Sequence, residues 1–138
     1  MAQPEQIPNG RLRGWHFIFL GVLLAPPAAA IYRGFGPTVS GWIGGWCVAA
    51  SAFTYLIYAR DKRLARDQEW REPESLLHFT ELAGGWPGAF LAQRRLRHKS
   101  SKFSYQFVFW LIVLLHELVA ADFLLGWPLL HRLLAAIK

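Results

Sequence analysis

The sequence is poor in cysteine and in charged residues. Its only cysteine, Cys47, lies in an apolar run. This excludes an intramolecular disulfide and a zinc-finger type of metal site, because both need several cysteines. Charged residues make up 17% of the 138 residues, whereas they are about a quarter of an average soluble domain. The charges are also clustered, and a soluble protein of this length could not bury the long apolar segments between them. We therefore predict an integral membrane protein.

Three apolar runs are long enough to cross a bilayer as helices, and they cover residues 15–32, 40–58 and 103–125. At 1.5 Å per residue the first run is about 27 Å long, close to the thickness of the bilayer hydrocarbon. We predict an all-α membrane bundle in which residues 1–14 are a mobile N-terminal tail and residues 15–138 form a single helical domain.

The first apolar run has a second interpretation. Arg11 and Arg13 precede it, and Ala28-Ala29-Ala30 follows its most apolar part. This order is typical of a cleavable signal peptide. The interpretation that the run is retained as a membrane span is favoured, because more apolar sequence follows it.

Residues 76–93 form an ambiguous fourth segment, interrupted by Glu81 and by the glycine-rich stretch 84–88. If the segment spans the membrane, the protein has four transmembrane helices. If it re-enters as a broken helical hairpin, the basic clusters at 60–71 and 94–102 lie on one side. Twelve of the fifteen lysines and arginines then share that side (two in the tail and five in each cluster). Cytoplasmic loops are rich in these residues, so we predict three spans plus a re-entrant hairpin.

The polar middle of the chain contains four motifs in a fixed order: Tyr58-x-x-Asp61-Lys62, Arg71-x-Pro73-Glu74-x-x-Leu77-His78, Gly84-Gly85-x-Pro87-Gly88-Ala89 and Arg97-His98-Lys99-x-x-Lys102-x-Ser104. Over about residues 45–115 the chain resembles a bacterial family of small membrane proteins known as domain of unknown function 1294. The resemblance implies a multi-pass protein of the bacterial inner membrane. It supplies no activity, because the family has no established one. Some relatives resemble fusions to a cold-shock domain, but residues 1–14 are too few for one, so we do not expect nucleic-acid binding.

A re-entrant hairpin predicts a basic pocket, because it brings Asp61-Lys62 opposite His98-Lys99. The candidate ligand-binding residues are Lys62, Arg71, Arg97, His98, Lys99 and Lys102, together with backbone N–H groups at Gly84, Gly85 and Gly88. We expect a non-enzymatic protein that recognises an anionic ligand, a lipid headgroup or a partner. The simplest interpretation is that these charges maintain the topology of the protein in the membrane and bind anionic lipids nonspecifically.

An enzyme acting on a phosphorylated or lipid substrate is the alternative. In it His98 would be the general acid or base, with Asp61 or Glu74 as its carboxylate. The glycine stretch lacks the Lys-Ser/Thr of a phosphate-binding loop, which argues against nucleotide hydrolysis.

Glu81 and His116 lie in apolar segments, where ionisable residues are costly and are candidates for function. Glu81 would carry the ion or proton path of a small transporter or channel. We expect instead that it forms a buried ion pair with a basic residue such as Arg94 or Arg97.

A metal site has little support in the sequence. Glu74, His78 and Glu81 are spaced for one face of a helix, but two carboxylates and one imidazole are a thin ligand set. We predict no bound metal and no cofactor.

Gly41-x-x-x-Gly45 lies in the second apolar run. Small residues at this spacing let another helix approach closely. The motif predicts either contact with a helix of the same chain, which we favour, or a homo-oligomer.

Overall fold

The computed structural model describes residues 10–67 and 73–137, and within these ranges all regular structure is helical. This confirms the predicted all-α class. The elements are α1 (Gly14–Arg66), α2 (Glu74–Thr80), a π-helical turn (Glu81–Gly85), α3 (Trp86–Leu96), α4 (Phe103–Leu124) and α5 (Pro128–Ala136).

Helix α1 folds back on itself at Gly36. This residue has φ 69° and ψ 173°, outside the helical region, and a positive φ is readily adopted only by glycine. The Ser40 hydroxyl donates a hydrogen bond to the Ile31 carbonyl at 3.0 Å. In a straight helix these residues would be about 13 Å apart along the axis. Helix α1 therefore consists of an N-terminal arm (residues 14–35) and a C-terminal arm (residues 37–66).

The N-terminal arm starts beside the end of α3. The Gly10 N–H donates to the Arg95 carbonyl at 2.7 Å, and Arg95 Nη1 donates to the Gly10 carbonyl at 2.9 Å. Of the tail that we predict to be mobile, residues 1–9 lie outside the described residues. Because Arg95 is close in sequence to the residues that contact Asp61, both arms of α1 reach the same end of the bundle, which we call the basic end.

The elements α2, π-helical turn and α3 form a hairpin against the C-terminal arm. The chain reverses at Gly84, which has φ 102°. At the tip, Trp46 Nε1 donates to the Ala83 carbonyl at 3.0 Å. After the hairpin, Lys99 Nζ lies 3.1 Å from Asp61 Oδ2, so the chain returns to the basic end.

Two glycines let the hairpin approach the C-terminal arm closely. A Cβ atom at Gly85 would overlap the Thr54 hydroxyl, and one at Gly88 would overlap the Ser51 carbonyl oxygen. A sharp turn with close helix packing is thus the role of this glycine stretch in the fold.

Gly41 and Gly45 have the opposite environment. A Cβ atom at either position would meet no atom within 4 Å, and the neighbouring Trp42 is 79% exposed. The prediction that these glycines pack against a helix of the same chain is therefore wrong, because the hairpin packs further along α1. Their use in a homo-oligomer stays a prediction.

Two helices, α1 and α4, are long and apolar enough to cross a membrane. Only 17% and 22% of the residues in their most apolar stretches are buried. The core helix of a soluble protein would have most of such a stretch buried. The described part of the chain therefore has the apolar exterior of a membrane-associated protein, around a core that includes Tyr58, Leu77, Phe90, Tyr105 and Phe109.

Candidate functional site

Asp61 is the centre of a charge cluster at the basic end. Its side chain is fully buried. His98 Nε2 lies 2.7 Å from Asp61 Oδ2, and Lys99 Nζ lies 3.1 Å from the same oxygen. Burying a carboxylate is costly unless it is paired and hydrogen-bonded, and these two side chains supply the partners. His98 is 37 residues away in sequence, and the return of the hairpin brings it to Asp61.

Glu74, at the start of the hairpin, completes the cluster. Lys102 Nζ lies 2.8 Å and 2.9 Å from the two Glu74 carboxylate oxygens, and Lys99 Nζ lies 3.7 Å from Oε1. The hydrogen bond from Lys102 lowers the pKa of the Glu74 carboxyl below its ordinary value. Two carboxylates thus face two ammonium groups, so this cluster is less cationic than the predicted pocket.

The backbone on either side of His98 is in the left-handed region. Arg97 has φ 49° and Lys99 has φ 58°. Such residues cost about 1–3 kcal/mol each and persist where surrounding contacts hold them in place. Here the contacts are those of His98 and Lys99 with Asp61, which tie the end of α3 to α1. Strain of this kind is found preferentially at functional sites.

A second polar cluster surrounds Glu81, whose side chain is fully buried. The hydroxyls of Tyr58 and Tyr105 both lie within hydrogen-bonding distance of Glu81 Oε1. His78 Nδ1 lies 2.7 Å from Oε2, and Gln93 Nε2 donates to the Tyr58 hydroxyl at 2.9 Å. Each carboxylate oxygen therefore has a hydrogen-bonding partner, and together these partners come from three helices, α1, α2 and α4.

The predicted ion pair of Glu81 with Arg94 or Arg97 is wrong. The Arg94 guanidinium lies 3.4 Å from the centre of the Phe90 ring, and its Nη1 donates to the Phe90 carbonyl. Arg97 is exposed. The hydroxyl groups of two tyrosines and the imidazole of His78 take the place of the arginines.

Tyr105 connects the two clusters. Its ring stacks on the His78 ring at a centroid distance of 4.2 Å, and Lys99 Nζ lies 4.9 Å from its ring centroid. Gln106 Nε2 donates to Gln93 Oε1 at 2.8 Å and to the Lys99 carbonyl at 3.0 Å. Sequence reasoning missed these two residues and Gln93. Their signal was present, since all three are polar residues within or beside apolar segments.

A family model described as "Protein of unknown function (DUF1294)" matches residues 51–105. This segment of the chain belongs to the DUF1294 family. A search of the curated proteins and a search of the solved structures found no match to the chain. The DUF1294 segment extends from Ser51, which contacts Gly88, to Tyr105. It thus contains the hairpin and both polar clusters.

Two other predicted ligand-binding residues lie beside the hairpin. Lys62 is half-buried next to Asp61, and Arg97 is exposed at the end of α3. Arg71 lies outside the described residues. Gly85 and Gly88 pack closely against α1, and the chain reverses at Gly84. Anion binding by the N–H groups of these three glycines stays a prediction.

His116 and the candidate metal ligands do not form a site together. His116 Nδ1 donates to the Ile112 carbonyl of its own helix at 2.8 Å. In the described ranges, no three His, Cys, Asp or Glu side chains are grouped so that they could hold a metal ion. Glu74 faces lysines, whereas His78 and Glu81 bond to each other.

Proposed function

We propose that the chain is a bacterial inner-membrane protein with three spans and a re-entrant hairpin, whose basic end faces the cytoplasm. The supporting observation is the distribution of charge over the described residues. Arg33 and Arg132 lie towards the opposite end. The other eleven basic residues lie at the basic end: Arg11, Arg13, Arg60, Lys62, Arg63, Arg66, Arg94, Arg95, Arg97, Lys99 and Lys102. Such an excess marks the cytoplasmic side, and a four-span arrangement would divide these residues between both sides.

The function that this arrangement supports best is recognition of an anionic ligand, foremost a lipid headgroup, by the basic end. Against the eleven basic residues, the described carboxylates at this end are Asp61, Asp67 and Glu74. The described residues of this end therefore keep a large positive charge after the ion pairs of the Asp61 cluster are counted. Each basic residue near an anionic membrane surface contributes about 1 kcal/mol of attraction. The excess positive charge is the single observation that carries the proposal.

Binding of lipid headgroups tests this function. We expect the purified protein to bind phosphatidylglycerol more tightly than phosphatidylcholine, and the preference to fall with rising salt. Lys62→Ala should weaken binding about fivefold, which corresponds to about 1 kcal/mol. Arg33→Ala removes the same charge at the other end and is the matched control. Equal affinity of the two variants, or no preference for the anionic lipid, would contradict the proposal.

The topology has its own test. In a Cys47→Ala background, single cysteines replace Arg63, Ser101 or Arg33, and intact cells are treated with a membrane-impermeant thiol reagent. We expect the first two positions to react only in opened cells, and position 33 to react from outside. Labelling of position 101 from outside while position 63 stays protected would mean that the middle segment spans the membrane.

A membrane enzyme is the second candidate, and the contact of His98 with Asp61 favours it. A buried carboxylate that bonds one imidazole nitrogen orients the ring and stabilises its protonated form. His98 Nδ1 is then the atom that exchanges a proton with a phosphorylated or lipid substrate. His98→Gln should abolish formation of a defined product, whereas His131→Gln on α5 should not. No turnover by the wild-type protein across lipids and phosphorylated compounds would exclude this candidate.

A further inference from the structure

A cavity of about 460 Å³ lies beyond the tip of the hairpin. It is bounded by the N-terminal arm on one side and by α4 on the other. Leu82 of the hairpin closes it towards the basic end, and Trp127 lies at the far end. No residue of the Asp61 cluster lines it, so it is separate from the site described above.

The cavity follows from the way the hairpin ends. The chain reverses at Gly84 and returns to the basic end, so the hairpin does not extend along the whole bundle. At the far end the two neighbouring elements do meet, because a Cβ atom at Gly34 would lie 2.8 Å from the Phe123 ring. Between this contact and the tip, no element of the described chain fills the space between the N-terminal arm and α4.

The chemistry of the lining selects an apolar occupant. Its residues are aliphatic or aromatic apart from His116, and His116 Nδ1 already bonds to the Ile112 carbonyl. A buried water needs two to four polar partners, and apolar cavities stay dry and bind apolar molecules. A charged or strongly polar ligand would lose its hydration without gaining partners. The volume is in the range of ligand pockets, about 300–1,000 Å³.

The size and position of the cavity distinguish a hydrocarbon chain from a protein segment. A helix is about 10–12 Å across, so a volume of this size would admit only about one helical turn. Two of the lining residues, Phe35 and Val119, are also 59% and 52% exposed. These residues belong to the two helices that are apolar enough to face lipid. A chain from the surrounding bilayer reaches the cavity without crossing a polar surface.

We propose that this cavity binds one acyl chain of a membrane phospholipid, from the leaflet opposite the basic end. The inference rests on the membrane topology proposed above. The bound acyl chain contacts Leu82 and so packs against the hairpin tip. The tip is also held by the hydrogen bond from Trp46 to the Ala83 carbonyl. Occupancy of the cavity therefore stabilises the position of the hairpin.

Retention of a zwitterionic lipid tests the proposal. The protein is purified in mild detergent, incubated in mixed micelles of detergent and phosphatidylcholine, washed with detergent, and analysed by native mass spectrometry. We expect one retained phosphatidylcholine per protein. Ala120→Phe places a ring in the cavity from a buried position and should lower the occupancy at least tenfold. Ala49→Phe adds the same ring at an exposed position on the C-terminal arm and should leave it unchanged.

Leu82→Trp at the rim is a second filling variant, in case Ala120→Phe does not fold. Lys62→Ala separates this proposal from headgroup recognition, since it should weaken binding of phosphatidylglycerol but not retention of phosphatidylcholine. A wild-type protein that retains no phosphatidylcholine would overturn the inference. Filling variants that retain as much as the Ala49→Phe control would do the same, even if the basic end does recognise anionic lipid.

Discussion

Replacing Gly88 with alanine places a methyl group where the C-terminal arm of α1 already lies. The added Cβ would overlap the Ser51 carbonyl oxygen and lie 2.6 Å from the Ser51 carbonyl carbon. Ordinary contact begins at 3.4 Å, so the hairpin must move by more than about 0.8 Å. The atoms in conflict belong to the backbone of a helix, and no side-chain rotation relieves them.

The same movement loosens the Asp61 cluster, because that cluster joins the end of the hairpin to α1. The distance between His98 Nε2 and Asp61 Oδ2 is 2.7 Å. A shift of this size takes it to about 3.5 Å, where a hydrogen bond is effectively lost. Overpacking costs about 1–3 kcal/mol, and a hydrogen bond to a charged group contributes about 1.5–3 kcal/mol. Alanine recovers at most about 1 kcal/mol through its higher helix propensity. We expect Gly88→Ala to lower the free energy of unfolding by about 2–4 kcal/mol.

Gly44→Ala is the matched control, with the opposite expected sign. Gly44 lies inside α1, and a Cβ atom there would meet nothing within 4 Å. Only helix propensity acts at this position, so the substitution should stabilise the protein by up to about 1 kcal/mol. Heating both variants in the same detergent and following the fluorescence of the seven tryptophans should separate their midpoints by roughly 10 °C or more. If Gly88→Ala unfolds at or above the temperature of Gly44→Ala, the close approach of hairpin and α1 is refuted.

Two further predictions concern the charges of the site. Asp61→Asn keeps the shape of the side chain but removes the charge that faces an imidazole and an ammonium group, so it should cost about 3–5 kcal/mol. The exposed Asp67→Asn should cost less than about 1 kcal/mol, and equal losses in chemical unfolding would show that Asp61 is not a buried partner. The lowered pKa of Glu74 means that its pairing stabilises the protein above the ordinary carboxyl pKa, and that this stability is lost as pH falls through the lowered value. The difference in unfolding midpoint between wild type and Glu74→Gln should be small, because the Glu74 side chain is 41% exposed, and it should vanish in acid. A difference that is independent of pH would contradict this prediction.

The helical class, the apolar exterior and the family of the central segment are all readable from the sequence. They depend on local properties, namely the length of apolar runs and the order of short motifs, and they need no knowledge of which elements touch. The same holds for the location of the charged residues on either side of the glycine stretch. Sequence reasoning could therefore name Asp61, His98 and Lys99 as candidates before any contact was known.

The tertiary structure alone decided which partners these residues have. We expected Glu81 to pair with an arginine, but it bonds to Tyr58 and Tyr105, because α1 and α4 bring their hydroxyls to it. Two pairs of closely spaced glycines likewise differ in role. Gly41 and Gly45 face open space, whereas Gly85 and Gly88 contact the C-terminal arm. A glycine permits close packing but does not determine which element packs against it. The reversal of the chain at Gly84 determines it here, because it brings Gly85 and Gly88 against the C-terminal arm.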